Sequence, residues 1–241
     1  MIQDKRVLAI VPARSGSKAI PDKNMACIGG RSLIARAARV LNQIPWIDRR
    51  IISTDSQRYV DEALRHGLEA PFTRPAHLSS DTATAVDTFV QALQTSEQLD
   101  GSRYDLVVVT EPTSPLREAA DVEATVMALL ESGADSAVTV SRIDTKAHPD
   151  KLFRIEEGRL QFYTERGASI TTRQALEPLY SRNGLCYAFK RETLLEKRVL
   201  ITDNSVSVIT ERPVANVDEP LDLLWAEFLL ERRFQPTLTP S

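Results

Sequence analysis

The segment Arg14-Ser15-Gly16-Ser17-Lys18 puts two cations, two hydroxyls and a glycine into one short stretch, with Lys23 and Asn24 close behind. Backbone N–H groups of such a loop can wrap a polyphosphate while Arg14, Lys18 and Lys23 neutralise its charge. The glycine spacing fits neither a Walker loop nor a dinucleotide fingerprint, so neither chemistry is supported. The competing reading is a solvated basic loop. A second constellation, Glu111-Pro112-Thr113-Ser114-Pro115-Leu116-Arg117, is stiffened by its prolines, so Glu111, Thr113, Ser114 and Arg117 are presented rigidly to a ligand or merely join two elements. A third, Asn216-Val217-Asp218 with Asp222 beyond, offers oxygen donors suited to Mg²⁺, although Asp218 shortly before Pro220 also reads as a helix N-cap. His66, His77 and His148 are scattered, and neither Cys27 nor Cys186 has a metal-ligand neighbour.

These loops need a scaffold, and the sequence supplies one. Val7 to Ala13 is continuously apolar or small and empties into the cationic loop, as a buried parallel strand does. Gly29-Gly30-Arg31-Ser32 predicts a turn with Ser32 capping a helix to about Leu41; Ile51 to Ser53 predicts a strand, and a helix from Gln57 ends at Gly67. A further helix is expected from Asp81 to about Gln94, capped by Ser80 or Asp81. A strand follows over Asp105 to Thr110, a helix over Ala119 to Ser132 and a strand over Ser136 to Val140. Strands alternating with helices predict an α/β fold, a Rossmann-like wound, mostly parallel sheet with ligands at the carboxyl ends of its strands. Between 141 and 182 the alternation gives way to short hairpin-like stretches. They are read as a small β-rich arm that contacts a second subunit, or as a solvated insertion. The main domain is therefore expected over 1–140 and 183–235, with Leu185 to Phe189 as a strand, a final helix from Pro220 burying Leu221, Leu224, Trp225 and Phe228, and a flexible tail at 236–241.

Composition narrows the classes. The 241 residues carry 42% hydrophobic and 26% charged side chains and a net charge of −3, which fits a globular protein with no global field for nucleic acid or an anionic membrane. With two cysteines a disulfide framework is excluded. The apolar run near the N-terminus is too short for a signal core or a membrane span, so a cytoplasmic protein is expected.

In chain order, Ile10-Val11-Pro12-Ala13-Arg14-Ser15-Gly16-Ser17-Lys18 with Lys23-Asn24, Ser53-Thr54-Asp55-Ser56, the run Arg74 to Asp81, Pro112 to Arg117, His148-Pro149-Asp150-Lys151, Arg173-Gln174, Asn183-Gly184, and Asp218 with Asp222-Leu223 and Ala226-Glu227 span nearly the whole chain. The sequence resembles, on these motifs, the acylneuraminate cytidylyltransferase family, which includes the CMP-sialic acid and CMP-legionaminic acid synthetases. The resemblance implies a wound sheet of nucleotidyltransferase type, transfer of CMP from CTP to the anomeric hydroxyl of a nonulosonic acid, release of pyrophosphate, Mg²⁺ dependence and a homodimer whose substrate-capping arms complete neighbouring sugar sites. It implies catalytic roles for Arg14, Lys18, Lys23 and Asp218. Arg14, Ser15, Gly16, Ser17, Lys18, Lys23, Asn24, Arg74, Ser80 and Asp81 would hold the nucleotide. Glu111, Thr113, Ser114, Lys151, Arg173, Arg182, Asn183 and Tyr187 would hold the sugar acid, and Asp218 with Asn216 the metal. Glu111 stands where the family often has Gln, Asn216 where it usually has an acid, Ser181 where an Arg is typical and Ala19 where Gly is common. These departures keep two alternatives open: a cytidylyltransferase for a different small or 3-deoxy sugar acid, or a catalytically weakened nucleotide-binding homologue.

Overall fold

Alternate residues of the first strand, β1 (Val7–Pro12), point into two different cores, which is what a strand buried on both faces must do. Val7, Ala9 and Val11 join one cluster and Leu8 and Ile10 the other. The computed structural model describes residues 1–232, so the predicted tail at 236–241 and the end of the main domain at 235 lie outside the described residues.

After β1 come a small hairpin, β2 (Cys27–Ile28) and β3 (Arg31–Ser32), then α1 (Leu33–Asn42), β4 (Arg49–Ser53), α2 (Gln57–Arg65) and α3 (Ala85–Asp100). The chain continues through β5 (Leu106–Val109), α4 (Ala119–Ser132), β6 (Ser136–Arg142), the hairpin β7 (Phe153–Glu156) and β8 (Arg159–Phe162), β9 (Tyr180–Lys190), β10 (Ser205–Ile209) and α5 (Pro220–Arg232). The six-stranded sheet has the order β10-β6-β9-β5-β1-β4. All its neighbours are parallel except β9, which runs antiparallel between β5 and β6. The first cluster packs α1 and α4 on one face, with Ile34, Leu41, Val122 and Leu129, and the second packs Phe89 and Leu93 of α3 on the other. This is the predicted α/β class with its mostly parallel wound sheet.

Local signals held where the chain's own hydrogen bonds decide the outcome. Ser32 caps α1 by accepting from Ala35 N, and Gly67, with φ +80°, follows α2 in the left-handed region. Two expectations are corrected, and one strand is new. The third helix begins at Ala85, capped by the Thr84 side chain on Asp87 N, so Ser80 and Asp81 remain in the preceding loop. The last helix buries Ala226 and Leu229, while Leu221, Leu224, Trp225 and Phe228 are exposed, because α5 is apolar around most of its circumference and periodicity cannot choose its inner face. The edge strand β10, with alternating Ser205-Val206-Ser207-Val208, was not anticipated.

The segment 141–182 contains the exposed hairpin β7–β8, several short 3₁₀ turns and no α-helix. Its apolar side chains Phe153, Ile155, Leu160 and Phe162 are exposed. Among the described residues no helix is long and apolar enough to cross a membrane.

Candidate active site

The loop after β1 is pinned from both sides. Asp55, just past β4, accepts from Ser15 N and Ser15 Oγ, each at 2.9 Å. Asn24 Nδ2 donates to Arg14 O at 3.2 Å and draws the far end of the loop back under its start. Asp22 takes left-handed backbone at φ 51°, and Arg58 and Tyr59 of α2 hold its carboxylate, which sets the direction in which Lys23 leaves the loop. Between these anchors a Cβ on Gly16 would meet nothing within 4 Å, so the backbone there is open to a ligand.

The loop borders a cleft of about 620 Å³ at the carboxyl edge of the sheet. Of the residues singled out from sequence, Arg14, Ser17, Lys18, Lys23, Asn24, Arg74, Ser80, Asp81, Glu111, Thr113, Asn216 and Asp218 line it. Asp81 pairs with Arg14 at 3.0 Å and with Lys18 at 2.6 Å, and Lys18 first, then Arg14, holds its carboxyl below the usual range. Arg74 is buried and donates to the hydroxyl and carbonyl of Ser53; burial pushes its guanidinium down to about 10. Across the cleft, Lys23 Nζ lies 2.8 Å from Asp218 Oδ1, and Asn216 Nδ2 lies 3.4 Å from Asp218 Oδ2. Asp222 accepts from the backbone N–H groups of Asp218 and Glu219 and so fixes the turn that carries Asp218 into α5.

The other residues stand elsewhere. Ser15 is turned onto Asp55. Ser114 and Asn183 are buried beside one another, the Ser114 hydroxyl donating to Asn183 O at 2.9 Å, and Tyr187 is buried against Phe189. Arg182 is exposed at the start of β9. Lys151 and Arg173 are exposed on the 141–182 segment and do not line this cleft.

The sequence reading left three roles open. Thr84, Thr88 and Phe89 form a wall from the start of α3, a role hidden by the misplaced helix boundary. Asp55 anchors the loop; it stood in the Ser53-Thr54-Asp55-Ser56 motif without an assigned role. Arg117, read either as facing a ligand or as part of a stiff connection, takes the second role: it is buried, donating to the carbonyls of Leu185, Gly184 and Glu111. It ties the Pro-rich loop to β9 from behind. Glu111 itself has no side-chain hydrogen bond or ion pair among the described residues. Burial pushes its carboxyl up, opposed by the fields of Arg117, Arg182 and Lys23.

Among the described residues no three His, Cys, Asp or Glu side chains gather to hold a metal. The Asp218–Asn216 pair offers one carboxylate and one amide oxygen, too few for an all-protein cage. That donor set suits a hard cation that keeps its waters and shares its remaining positions with phosphate oxygens.

Fold and cleft together define a class, the nucleotidyltransferases that work at the carboxyl edge of a wound sheet. Residues 8–227 match the cytidylyltransferase family, and the chain belongs to it. It is 28% identical over 229 residues to post-translational flagellin modification protein B of Campylobacter coli, covering 94% of this chain and 96% of that protein. It is also 28% identical over 228 residues to CMP-N,N'-diacetyllegionaminic acid synthase of Legionella pneumophila, covering 94% and 97% of the two chains. Pseudaminic acid cytidylyltransferase of Campylobacter jejuni is 26% identical over 226 residues, 92% of this chain and 95% of that protein. Among solved structures, a CMP:2-keto-3-deoxy-manno-octonic acid synthetase complexed with CTP superposes with a TM-score of 0.69 at 17% identity, over 95% of this chain and all of that one, a likeness of fold.

Proposed function

We propose that this CTP-dependent nucleotidyltransferase transfers CMP from CTP to the anomeric hydroxyl of a nonulosonic acid. The acceptor oxygen bonds to the α-phosphorus as the bond to pyrophosphate breaks. The observation that carries the reading is the convergence of Arg14, Lys18 and Lys23 on one cleft with the Asp218–Asn216 pair opposite. Chemistry of this kind needs alignment and charge stabilisation rather than a protein nucleophile. Arg14, Lys18 and Lys23 bind the triphosphate, Ser15, Gly16 and Ser17 supply loop backbone and hydroxyls, and Asn24, Arg74, Ser80 and Asp81 flank the nucleoside. Asp218 and Asn216 would hold Mg²⁺, which when bound neutralises charge on the phosphates. The names of the relatives support a sialic-acid-like acceptor, held by Glu111, Thr113 and the β9 segment Arg182, Asn183 and Tyr187, with Ser114 supporting them from beneath.

Lys151 and Arg173 serve a neighbouring subunit's cleft in a homodimer, with 141–182 as the dimerising arm. That they do not line their own cleft, and that Phe153, Ile155, Leu160 and Phe162 are exposed, support this. The net charge of −3 supports work on small molecules rather than on nucleic acid or a membrane surface, and we place that work in the cytoplasm.

Pyrophosphate release from CTP and Mg²⁺ with a panel of sialic, legionaminic, pseudaminic and 3-deoxy sugar acids tests the reaction. Turnover with a nonulosonic acid is expected. CTP binding without turnover on any of them would overturn the acceptor assignment, and sedimentation as a monomer at micromolar concentration would overturn the dimer.

A further inference from the structure

A second cleft, of about 510 Å³, lies on the other flank of the Pro-rich loop and shares no lining residue with the first. Glu111 to Thr113 border one cleft and Pro115 to Glu118 the other. Arg36 and Arg39 of α1 line the second cleft together with Arg212, and both also line an adjoining hollow of about 170 Å³.

The charges here are out of balance. Arg212 is satisfied by Asp121 at 2.6 and 2.9 Å, with the exposed Glu118 carboxylate 3.7 Å away. Arg36 is held in place by two donations to Ile28 O, which leave its Nη1 without a partner among the described residues. Arg39 makes no side-chain hydrogen bond or ion pair among the described residues, and neither does Arg31 just before the helix. Burial, and then the fields of Arg31 and Arg39, hold the Arg36 guanidinium below its usual value, with Glu227 opposing them. Two guanidiniums crowded in a concave site without paired carboxylates are an arrangement that an anion stabilises twice, by charge and by fork-shaped hydrogen bonds.

We propose that this cleft is a second anion site, in which Arg36 and Arg39 take a small phosphorylated anion. Its concavity favours a small molecule over an acidic protein surface, and its size lies in the range of metabolite pockets. The proposal does not rest on the reading of the first cleft.

Calorimetric titration of the full chain with inorganic phosphate and with pyrophosphate, alone and under saturating CTP, tests it. Pyrophosphate binding that survives CTP is expected, weakened about tenfold or more by Arg39→Glu and screened by salt. Arg39→Gln, with a smaller charge change, should weaken it in the same direction, and turnover from CTP should stay near wild type in both variants. Equal binding by wild type and a folded Arg39 variant, loss of all pyrophosphate binding under CTP, or no binding of either anion would overturn the site. Failure of the proposed reaction would appear instead as absent turnover in the wild type, with the Arg39 dependence still readable.

Discussion

Lys23 Nζ lies 2.8 Å from Asp218 Oδ1 and so joins the loop after β1 to the turn before α5 across 195 residues of sequence. The two side chains differ in setting: that of Lys23 is 15% exposed and that of Asp218 is 67% exposed. The cation is embedded in the cleft wall, whereas the carboxylate keeps an open side toward the cleft. In the proposed reaction Asp218 would face a metal–triphosphate without Lys23 leaving its place, and Lys23 would limit the charge repulsion between that carboxylate and incoming phosphate.

Replacing Asp218 with Ala should leave the fold intact, because an ion pair with so exposed a partner contributes only about 0–1 kcal/mol. Turnover should fall by about 10²- to 10³-fold, the scale of losing one group that stabilises transition-state charge. Pyrophosphate release measured beside the unfolding midpoint checks both halves. Near wild-type turnover would remove Asp218 from the metal site.

Asp55→Ala should act through Ser15 rather than on the reacting atoms. The substitution frees both the N–H and the hydroxyl of Ser15, so the loop after β1 loses its anchor at the β4 side. The expected result is a raised KM for CTP with a smaller change in kcat. Asp55→Asn, which can still accept from Ser15 N and hydrogen-bond its hydroxyl, should restore most of the loss. Equal defects in the two variants would indicate that charge at position 55, not anchoring, matters.

The contrast between Asp55 and Arg117 marks how far the sequence could be read. The cationic loop, the strand ends and the Asn216–Asp218 pair were legible because each is local in sequence and sits at a predictable edge of the sheet. Arg117 looked equally like a ligand contact, but its partners Gly184 and Leu185 come from β9, and no local pattern announces such a long-range hydrogen bond. The inner face of α5 was illegible for another reason. Leu221, Leu223, Leu224, Trp225, Ala226, Phe228 and Leu229 leave no polar side to orient the helix, so packing against Ile28, Leu33 and Val217 decided it.

Arg117→Leu should be costly. Arg117 is buried, and burial lowers its guanidinium to about 10, yet it satisfies three carbonyls, those of Glu111, Gly184 and Leu185. Leaving them without a donor should destabilise the protein by about 3–5 kcal/mol. Urea unfolding of the variant checks this. A loss below about 1 kcal/mol would mean that water or backbone rearrangement replaces the guanidinium.

Glu111→Gln should change how stability depends on pH. Burial is the main cause of the raised Glu111 carboxyl; Arg117, Arg182 and Lys23 oppose it and Asp218 adds to it. The folded state therefore holds the Glu111 proton to higher pH than the unfolded chain, whose carboxyl titrates near 4.5. By linkage this contributes stability that is fully present below that pH and is lost as pH rises through the raised folded value. The glutamine variant has no such proton, so the stability of the wild type relative to the variant should decline with rising pH across that window. Unfolding free energies of both proteins at a series of pH values measure the difference. A constant difference would show that Glu111 titrates in the folded protein as it does in the unfolded chain.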